Sequence, residues 1–262
     1  MSPQNIESLA KSILDESFGY ASVDPLLAEI VEDATSRLFE SLDHIHHGWT
    51  FTRKGEAAAD VGLLNQDGRG IKLCFHSTHD LPLYVGNRPL SPQQKECLKV
   101  LDRCRRQLEE IAINLAGHLE VALEMVDLMQ RVIDATRIAD PYNVSTLRSL
   151  IYQDLPGQKG ASPRFGRSFL NLHLSDNGGD LFIETAPDTW ERASPPKGSL
   201  LVIPGAKALE LTGGRIKPVR HKATTIRGRT RKAAVLFVHA DVGHPVPDAQ
   251  AEYERFRATR GR

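Results

Sequence analysis

Short apolar segments separated by Gly, Pro and Asn run from Ser145 to Gly243, and this pattern restricts the fold more than any other feature of the sequence. Segments of this length with turn residues between them are typical of antiparallel strands in a sandwich or barrel. The first 140 residues are mainly helical in pattern. No stretch between the two parts is rich in Gly, Ser or Pro, so we predict one domain over residues 1–262, of α+β class.

The helical predictions rest on spacing and capping. Residues 24–43 carry apolar side chains at helical spacing. Ser91 is the expected N-cap of a long helix over residues 92–117, because Pro92 suits its first position and Gln94 completes a capping box. The apolar stripe of this helix is expected to pack on the outside of the β portion, and it includes Leu101, Leu108 and Leu115.

Four further elements are predicted in the parts that flank these helices. A second helical pattern follows from Leu119 to Ala135, and a helical tail spans Ala249 to Arg257. Residues 49–52 and 71–75 alternate like short strands, with a turn signal at Asp67-Gly68 nearby.

Composition excludes several classes of partner. The 33 basic and 33 acidic residues give zero formal net charge, so no overall field favours nucleic acid or an anionic membrane. The three cysteines have no metal-ligand spacing, which is typical of a reducing compartment. The N-terminus does not resemble a signal peptide, and no apolar run has the roughly 18 residues of a membrane span. We expect a cytoplasmic protein with a small-molecule substrate.

Residues Phe169 to Ser175 alternate between leucine and polar side chains. Such alternation places the leucines against an apolar layer and the polar residues on the other face of the strand. If that second face lines a barrel interior, Asn171 and His173 are candidates for the lining of a substrate pocket.

The C-terminal 120 residues resemble the iron(II)/2-oxoglutarate-dependent oxygenases, the isopenicillin N synthase-like branch in particular. The segments that carry the resemblance are Leu147–Tyr152, Gly179–Ile183, Trp190, Pro196–Ile203, Leu209–Arg215, His221 and Arg231. The resemblance implies a double-stranded β-helix, a distorted jelly roll of two facing sheets, over residues 145–243. A mainly helical portion over residues 1–140 would precede it.

The metal motif of that family is missing from its expected place. The family holds iron with a His-X-Asp pair and a distant His, and His221 corresponds to the distant His. Where the pair belongs, the chain passes from Arg164-Phe165-Gly166-Arg167 directly to Ser168. His173 and Asp176 are three residues apart, so on a regular strand they point to opposite faces. We therefore favour no metal site; if one exists, its ligands would be His221, His173 and Asp176.

The resemblance also implies roles for other residues. Arg231 corresponds to the arginine that binds the distal carboxylate of 2-oxoglutarate, a task that suits a planar guanidinium. The serine usual two residues later is Ala233 here. Tyr152 and Asn171 are further candidates for binding a carboxylate, and Arg148 is a weaker one. His173 and His221 are the candidate catalytic residues, since neutral imidazole can transfer protons without a metal.

Three functions remain open. The favoured one is a small-molecule tailoring enzyme of secondary metabolism that uses the oxygenase scaffold without iron or another cofactor, for an elimination, isomerisation or cyclisation. The first alternative is hydroxylation or desaturation driven by Fe(II) and 2-oxoglutarate at an atypical metal site. The second is a binding protein without catalysis.

Two other groups of histidines have spacings that a metal site could use. His44, His46 and His47 follow a polar helix, and His76 and His79 form a pair. Neither group has a carboxylate or cysteine at supporting spacing, which favours a solvated surface or loop.

Overall fold

The computed structural model of the protein describes residues 3–42, 49–51, 61–65, 72–138, 144–152, 161–177, 179–226 and 228–240. The predicted helical tail from Ala249, the turn at Asp67-Gly68 and the histidine group at residues 44–47 lie outside these ranges. Within them, no helix is both long and apolar enough to cross a membrane.

The helices in this part of the chain lie mostly in the N-terminal half. They are α1 (Pro3–Glu16), α2 (Pro25–Ser41), α3 (Leu81–Val85), α4 (Pro92–Ala122), α5 (Leu128–Arg137) and α6 (Ala206–Leu211). The predicted capping box of α4 is present: Ser91 Oγ accepts from the backbone N–H of Gln94, and Gln94 Oε1 accepts from the backbone N–H of Ser91. Because two end donors are satisfied together, the start of α4 is fixed at Pro92.

The strands occupy both halves. They are β1 (Gly19–Ser22), β2 (Thr50–Phe51), β3 (Val61–Asn65), β4 (Lys72–Ser77), β5 (Thr146–Tyr152), β6 (Ala161–Arg164), β7 (Leu170–Asn177), β8 (Gly179–Ala186), β9 (Thr189–Arg192), β10 (Ser199–Pro204), β11 (His221–Thr225) and β12 (Arg231–Val238).

The described strands form two antiparallel sheets. The larger has the order β1-β10-β7-β12-β5-β4-β3-β2, and the smaller has the order β6-β11-β8-β9. The chain from β5 to β12 passes repeatedly between the two sheets, which is the winding of a double-stranded β-helix. The predicted fold class, a jelly roll after a mainly helical portion, is therefore confirmed.

Strand alternation gives the larger sheet two different apolar faces. In β10, Leu200 and Val202 belong to the core shared with the helices, whereas Leu201 and Ile203 belong to the core between the sheets. Because side chains alternate along a strand, each strand of this sheet contributes to both layers. The space between the sheets is called the barrel interior below.

Helix α4 covers the outer face of the larger sheet, against β4, β5, β7 and β12. The three leucines predicted to make this contact, Leu101, Leu108 and Leu115, are completely buried. The helix runs to Ala122 rather than ending near residue 117, since the apolar stripe continues through Leu119. A separate helix from Leu119 is therefore wrong: the break comes later, where Glu124 and Asp127 adopt positive φ angles, and α5 starts at Leu128.

The N-terminal half also extends the larger sheet at both edges. The predicted strands near residues 49–52 and 71–75 are present as β2 and β4, and β3, which was not predicted, lies between them. At the other edge β1 pairs with β10, and α1 packs on it through Leu9. A Cβ at Gly19 would lie 2.8 Å from Leu9 Cδ1, so a larger residue there would displace the Leu9 side chain.

The burial of α4 can be tested by a truncation in its stripe. Leu108→Ala should lower the free energy of unfolding by about 2–5 kcal/mol, because it removes apolar contacts and leaves a cavity. Val121→Ala is the matched control on the same helix: Val121 is 79% exposed, and we expect a change within about 0.5 kcal/mol. Urea denaturation measures both. Equal effects of the two substitutions would contradict this packing.

Candidate active site

Arg231 and Tyr152 lie side by side in the barrel interior. They are cross-strand partners on β12 and β5, and both are buried. The guanidinium carbon of Arg231 lies 5.3 Å from the centroid of the Tyr152 ring. Ala233, two residues along β12, is buried in an apolar group with Tyr152. Two of the three residues predicted to bind a carboxylate are thus brought together.

Gly179 makes room for Arg231. A Cβ at Gly179 would lie 2.7 Å from Arg231 Cδ and 2.9 Å from its Nε, and 2.4 Å from the backbone oxygen of Thr224. Real side chains do not approach this closely, so the start of β8 needs glycine where the arginine passes. The same contacts place the stem of Arg231 against the smaller sheet as well as the larger one.

His173 and His221, the predicted catalytic residues, face each other across the barrel. Their ring centroids are 5.6 Å apart with the planes 75° from parallel, although β7 and β11 belong to different sheets. His173 is 6% exposed, and its Nε2 has no hydrogen-bond partner in the described structure. His221 Nδ1 lies 3.5 Å from the backbone oxygen of Val219.

Both imidazoles are kept neutral by their surroundings. Burial holds the pKa of His173 well below its usual value, and the charges of His221 and Arg231 lower it further. Burial and the positive charge of Arg164 lower the pKa of His221 to about 4, against a small opposing effect of its bond to Val219. At pH 7 each ring therefore has one nitrogen that can accept a proton or a hydrogen bond.

Arg164 stands next to His221 on the neighbouring strand. The two residues are cross-strand partners on β6 and β11, and His221 has Ile183 of β8 on its other side. Arg164 is exposed at the edge of the barrel. Partial desolvation lowers the pKa of its guanidinium; Tyr152 raises it, and the charges of Arg148 and Arg231 lower it again. Arg148, Arg164 and Arg231 therefore share one positive field, and we call them the arginine cluster.

Arg148 connects this cluster to the predicted His76/His79 pair. Its Nε donates to His76 Nε2 at 2.7 Å, and its guanidinium carbon lies 4.8 Å from the centroid of Phe237. Cys74 Sγ lies 3.8 Å from the same nitrogen of His76. Because Nε2 of His76 accepts from a guanidinium, it is engaged in the fold, in line with the interpretation that the pair is not a metal site.

Asn171 is engaged within the fold and differs from its predicted role. Its Nδ2 donates to the backbone oxygen of Ile203 at 3.1 Å, and its Oδ1 accepts from Ser168 Oγ at 2.6 Å. A Cβ at Gly166 would lie 2.2 Å from Asn171 Nδ2, so the amide fills the space beside the loop that contains Gly166 and Ser168. The two hydrogen bonds of Asn171 join β7 to β10 and to this loop, and binding a ligand would require them to break.

The spacing of His173 and Asp176 is altered by a bulge in β7. Val235 of β12 pairs with His173, but Ala234 pairs with Ser175 and Ala233 with Asp176, so Leu174 is an extra residue. A regular strand, which we expected here, would point His173 and Asp176 to opposite faces. Because of the bulge, the backbones of His173 and Asp176 pair with Val235 and Ala233, which are two residues apart on β12. The side chain of Asp176 lies outside the described part.

The described residues alone do not complete an Fe(II) site. Non-haem iron sites usually have two histidines and a carboxylate, and no group of three His, Cys, Asp or Glu side chains is found in this part of the chain. His173 and His221 would supply two ligands, whereas the cross-strand neighbours of His221, Arg164 and Ile183, can supply none. A guanidinium both lacks a lone pair for a metal and repels it.

Sequence reasoning missed Arg164 and gave Arg148 little weight. Strand alternation identifies which face a residue occupies, but only the pairing of β6 with β11 places Arg164 beside His221. That pairing is between distant segments and has no local signal. One clue was available: the arginine stands next to the point where the metal motif is missing.

The C-terminal part of the chain is similar to a known family. Residues 145–240 match the sequence profile described as the 2OG-Fe(II) oxygenase superfamily. A search of curated proteins finds no match.

Solved structures of similar fold cover nearly the whole chain. One is AtDAO1 of Arabidopsis thaliana, a dioxygenase for auxin oxidation solved with 2-oxoglutarate: 17% identity, 92% of this chain and 91% of that one, TM-score 0.70. Another is a Neurospora crassa protein solved in complex with alpha-KG and thymine. It has 14% identity, the match covers 98% of this chain and 92% of that one, and the TM-score is 0.69. JOX2, solved with 2OG, Fe and JA, has 16% identity; the match covers 97% of this chain and 80% of that one, with a TM-score of 0.68.

At these identities the structures establish the fold alone. The sequence profile covers the same segment that winds as the double-stranded β-helix, β5 to β12. The β-helix core of this chain, residues 145–240, is therefore similar in sequence profile and in fold to the 2OG-Fe(II) oxygenase superfamily.

Proposed function

We propose that this protein is a small-molecule enzyme that binds a carboxylate-bearing substrate in the barrel interior and transfers protons with His173 and His221, without iron. The observation that carries the proposal is the pairing of Arg164 with His221, which puts a cation beside one of the two histidines that a metal would need. The oxygenase scaffold is kept, but its charge distribution suits an anion.

The carboxylate would bind at Arg231 and Tyr152. A guanidinium has five N–H donors, so Arg231 can hold a carboxylate in two parallel hydrogen bonds in addition to contacts within the protein. The ring of Tyr152 packs beside it and carries a hydroxyl that can also donate. Ala233 offers no hydroxyl, which removes one hydrogen bond that the family resemblance led us to expect.

The two imidazoles would act as proton acceptors once substrate is bound. In the ligand-free protein their low pKa values make them weak bases. A bound carboxylate offsets the charges of Arg231 and Arg164, and a nearby negative charge raises the pKa of a histidine. Binding therefore brings the pair toward the range in which general base catalysis is effective at neutral pH. Elimination, isomerisation and cyclisation all need such a proton transfer.

The alternative is an Fe(II)/2-oxoglutarate-dependent oxygenase with His173, His221 and Asp176 as ligands. The bulge at Leu174 favours it. His173 and Asp176 are three residues apart in sequence, but the bulge gives their backbones partners that are two residues apart on β12. The similar fold of JOX2, which was solved with 2OG and Fe, also favours it. Substrate turnover without oxygen would exclude it, and release of succinate would establish it.

Metal binding separates these two functions before any substrate is known. We expect Co(II), used as a stable probe for Fe(II), to bind no more tightly than millimolar, because two imidazoles beside a guanidinium lack chelate geometry. Calorimetry on chelator-treated protein measures this. Stoichiometric micromolar binding that disappears in both His173→Ala and Asp176→Asn would reverse the proposal.

Removing the guanidinium of Arg231 should weaken carboxylate binding. Arg231→Gln is expected to weaken binding of 2-oxoglutarate, used as a carboxylate probe, by at least about tenfold, since a charge-assisted hydrogen bond is lost. Arg229→Gln, an exposed arginine two residues earlier, is the control. Calorimetric titration with a parallel thermal unfolding scan tests both. Unchanged affinity in Arg231→Gln would remove Arg231 from the site.

The neutral histidines predict how stability depends on pH. In the unfolded chain they titrate near 6.5, but in the fold their pKa values are lower, so the unfolded state binds more protons between about pH 6.5 and 4. The free energy of unfolding should be full above pH 6.5 and fall as pH is lowered, by at most about 1.4 kcal/mol per pH unit for each histidine. Urea denaturation of His221→Asn should show a shallower dependence; an identical slope would mean that His221 titrates normally.

A further inference from the structure

We infer that a groove between α2 and α4 binds the C-terminal segment of the same chain, residues 249–262. This interaction is separate from the proposed carboxylate site and does not depend on it. The groove, called the α2–α4 groove below, is lined by Glu29, Ile30, Asp33, Ala34, Arg37, Glu96, Cys97 and Val100. Its shape, its apolar floor, its charge and the reach of the segment support the inference in turn.

Two antiparallel helices form the groove. Gln93 Nε2 donates to the backbone oxygen of Arg37 at 3.2 Å, and Gln94 Nε2 donates to that of Ser41 at 3.1 Å, so the start of α4 is joined to the end of α2. The groove opens to solvent, since Ile30 in its lining is 44% exposed. Its volume of about 290 Å³ is at the lower limit of the roughly 300–1,000 Å³ typical of small-molecule pockets. A groove of this size suits the side chains of a protein segment better than a cofactor.

The floor of the groove is apolar. Ala34 and Cys97 are buried, Val100 is half-buried, and Ile30 is exposed. Leu26 lies one turn before Ile30 on the same face of α2 and is 54% exposed, so it extends the apolar strip beyond the groove. Exposed apolar side chains that adjoin one another usually mark a binding surface. The partner of this surface therefore needs apolar side chains of its own.

The rim of the groove is acidic. It has the carboxylates of Glu29, Asp33 and Glu96 against the single guanidinium of Arg37. Asp33 pairs with Arg37 at 3.5 Å and Glu29 pairs with Lys197 at 2.6 Å, but all four side chains are exposed, so these pairs contribute little. Glu96 forms no ion pair with another described residue. A basic partner is therefore complementary to the rim.

The C-terminal segment has the matching pattern. Ala249, Tyr253 and Phe256 recur at positions i, i+4 and i+7, which is one face of the helix predicted from Ala249 to Arg257. Arg257 follows Tyr253 by four residues, so it would lie at the edge of this face. Residues 249–262 contain four arginines and two glutamates, so the segment is basic where the groove is acidic. An amphipathic helix laid into an apolar groove is a common mode of peptide recognition.

The chain can reach the groove from the end of β12. Lys232 Nζ donates to Ser36 Oγ at 2.9 Å, so the start of β12 lies under α2 beside the groove. From Lys232 to Ala240 the chain runs eight residues, about 26 Å at strand geometry. The nine residues from Ala240 to Ala249 span up to about 30 Å when extended, which is enough to return to this level. Two prolines within residues 244–247 favour such an extended path.

Limited digestion with trypsin tests the interaction in the whole 262-residue chain. Mass spectrometry would follow cleavage after Arg257, with a synthetic peptide of residues 249–262 as the reference for an unbound segment. We expect cleavage in the protein to be at least about tenfold slower than in the peptide, because proteolysis requires the bound segment to open. The rate should be the same after a hundredfold dilution of the protein, since the groove and the segment belong to one chain.

Substitutions in the groove should remove this protection. Ile30→Ser should speed the cleavage by about five- to tenfold, because it removes an apolar contact. Glu96→Gln should speed it by up to about fivefold, the value of one exposed charge pair. The matched controls are Val126→Ser, a 78% exposed apolar residue between α4 and α5, and Glu110→Gln, an exposed carboxylate further along α4. Both controls should behave like the wild type, and thermal unfolding verifies that every variant is folded.

Three outcomes would overturn the inference. Cleavage as fast in the wild type as in the peptide would mean that the segment is not bound. Faster cleavage in Val126→Ser but not in Ile30→Ser would place the segment on the surface between α4 and α5 instead. Protection that is lost on dilution would mean that the groove binds the segment of a second copy.

Discussion

Period-two alternation along the strands of the larger sheet determines both how this protein holds together and what its barrel contains. One face of β7 presents leucines to α4 and the other helices, and the other face presents His173 to the barrel interior. The same alternation on β12 buries Leu236 under the helices and turns Arg231 inward. A shift of one residue would exchange the two faces and place charge in the helical interface. The stability of the fold and the position of the site therefore depend on one register.

The bulge at Leu174 modifies that register at one point. Leu172 and Leu174 both remain in the core shared with the helices, so the bulge costs no apolar contact at those residues. Beyond it, Asp176 pairs with Ala233 instead of taking the position that a regular strand would give it. Bulges near sites are usual devices for redirecting side chains. Here it directly follows His173, and iron-free and iron-dependent functions make different demands on Asp176 beyond it.

Much of this architecture could be predicted from the sequence, because its signals are local. The capping box at Ser91 fixed the start of α4, and the spacing of Leu101, Leu108 and Leu115 predicted the buried stripe. Strand-like segments and family resemblance predicted the jelly roll. The long-range pairings were not accessible in the same way: β1 joins an edge without a strong alternating pattern of its own, and Arg164 acquires its importance only from the pairing of β6 with β11. Asn171 lies on the strand face predicted to line a pocket, but its amide is hydrogen-bonded to Ser168 and to the backbone of Ile203.

The central claim is that the barrel interior binds a carboxylate at Arg231 and uses His173 and His221 without a metal ion. A crystal grown with both glutarate and Mn(II), with anomalous scattering measured to locate manganese, tests it most directly. We expect electron density for the carboxylate in contact with Arg231, and no manganese peak between His173 and His221. A manganese ion coordinated by both imidazoles at about 2.0–2.3 Å would contradict the claim and favour the iron-dependent alternative.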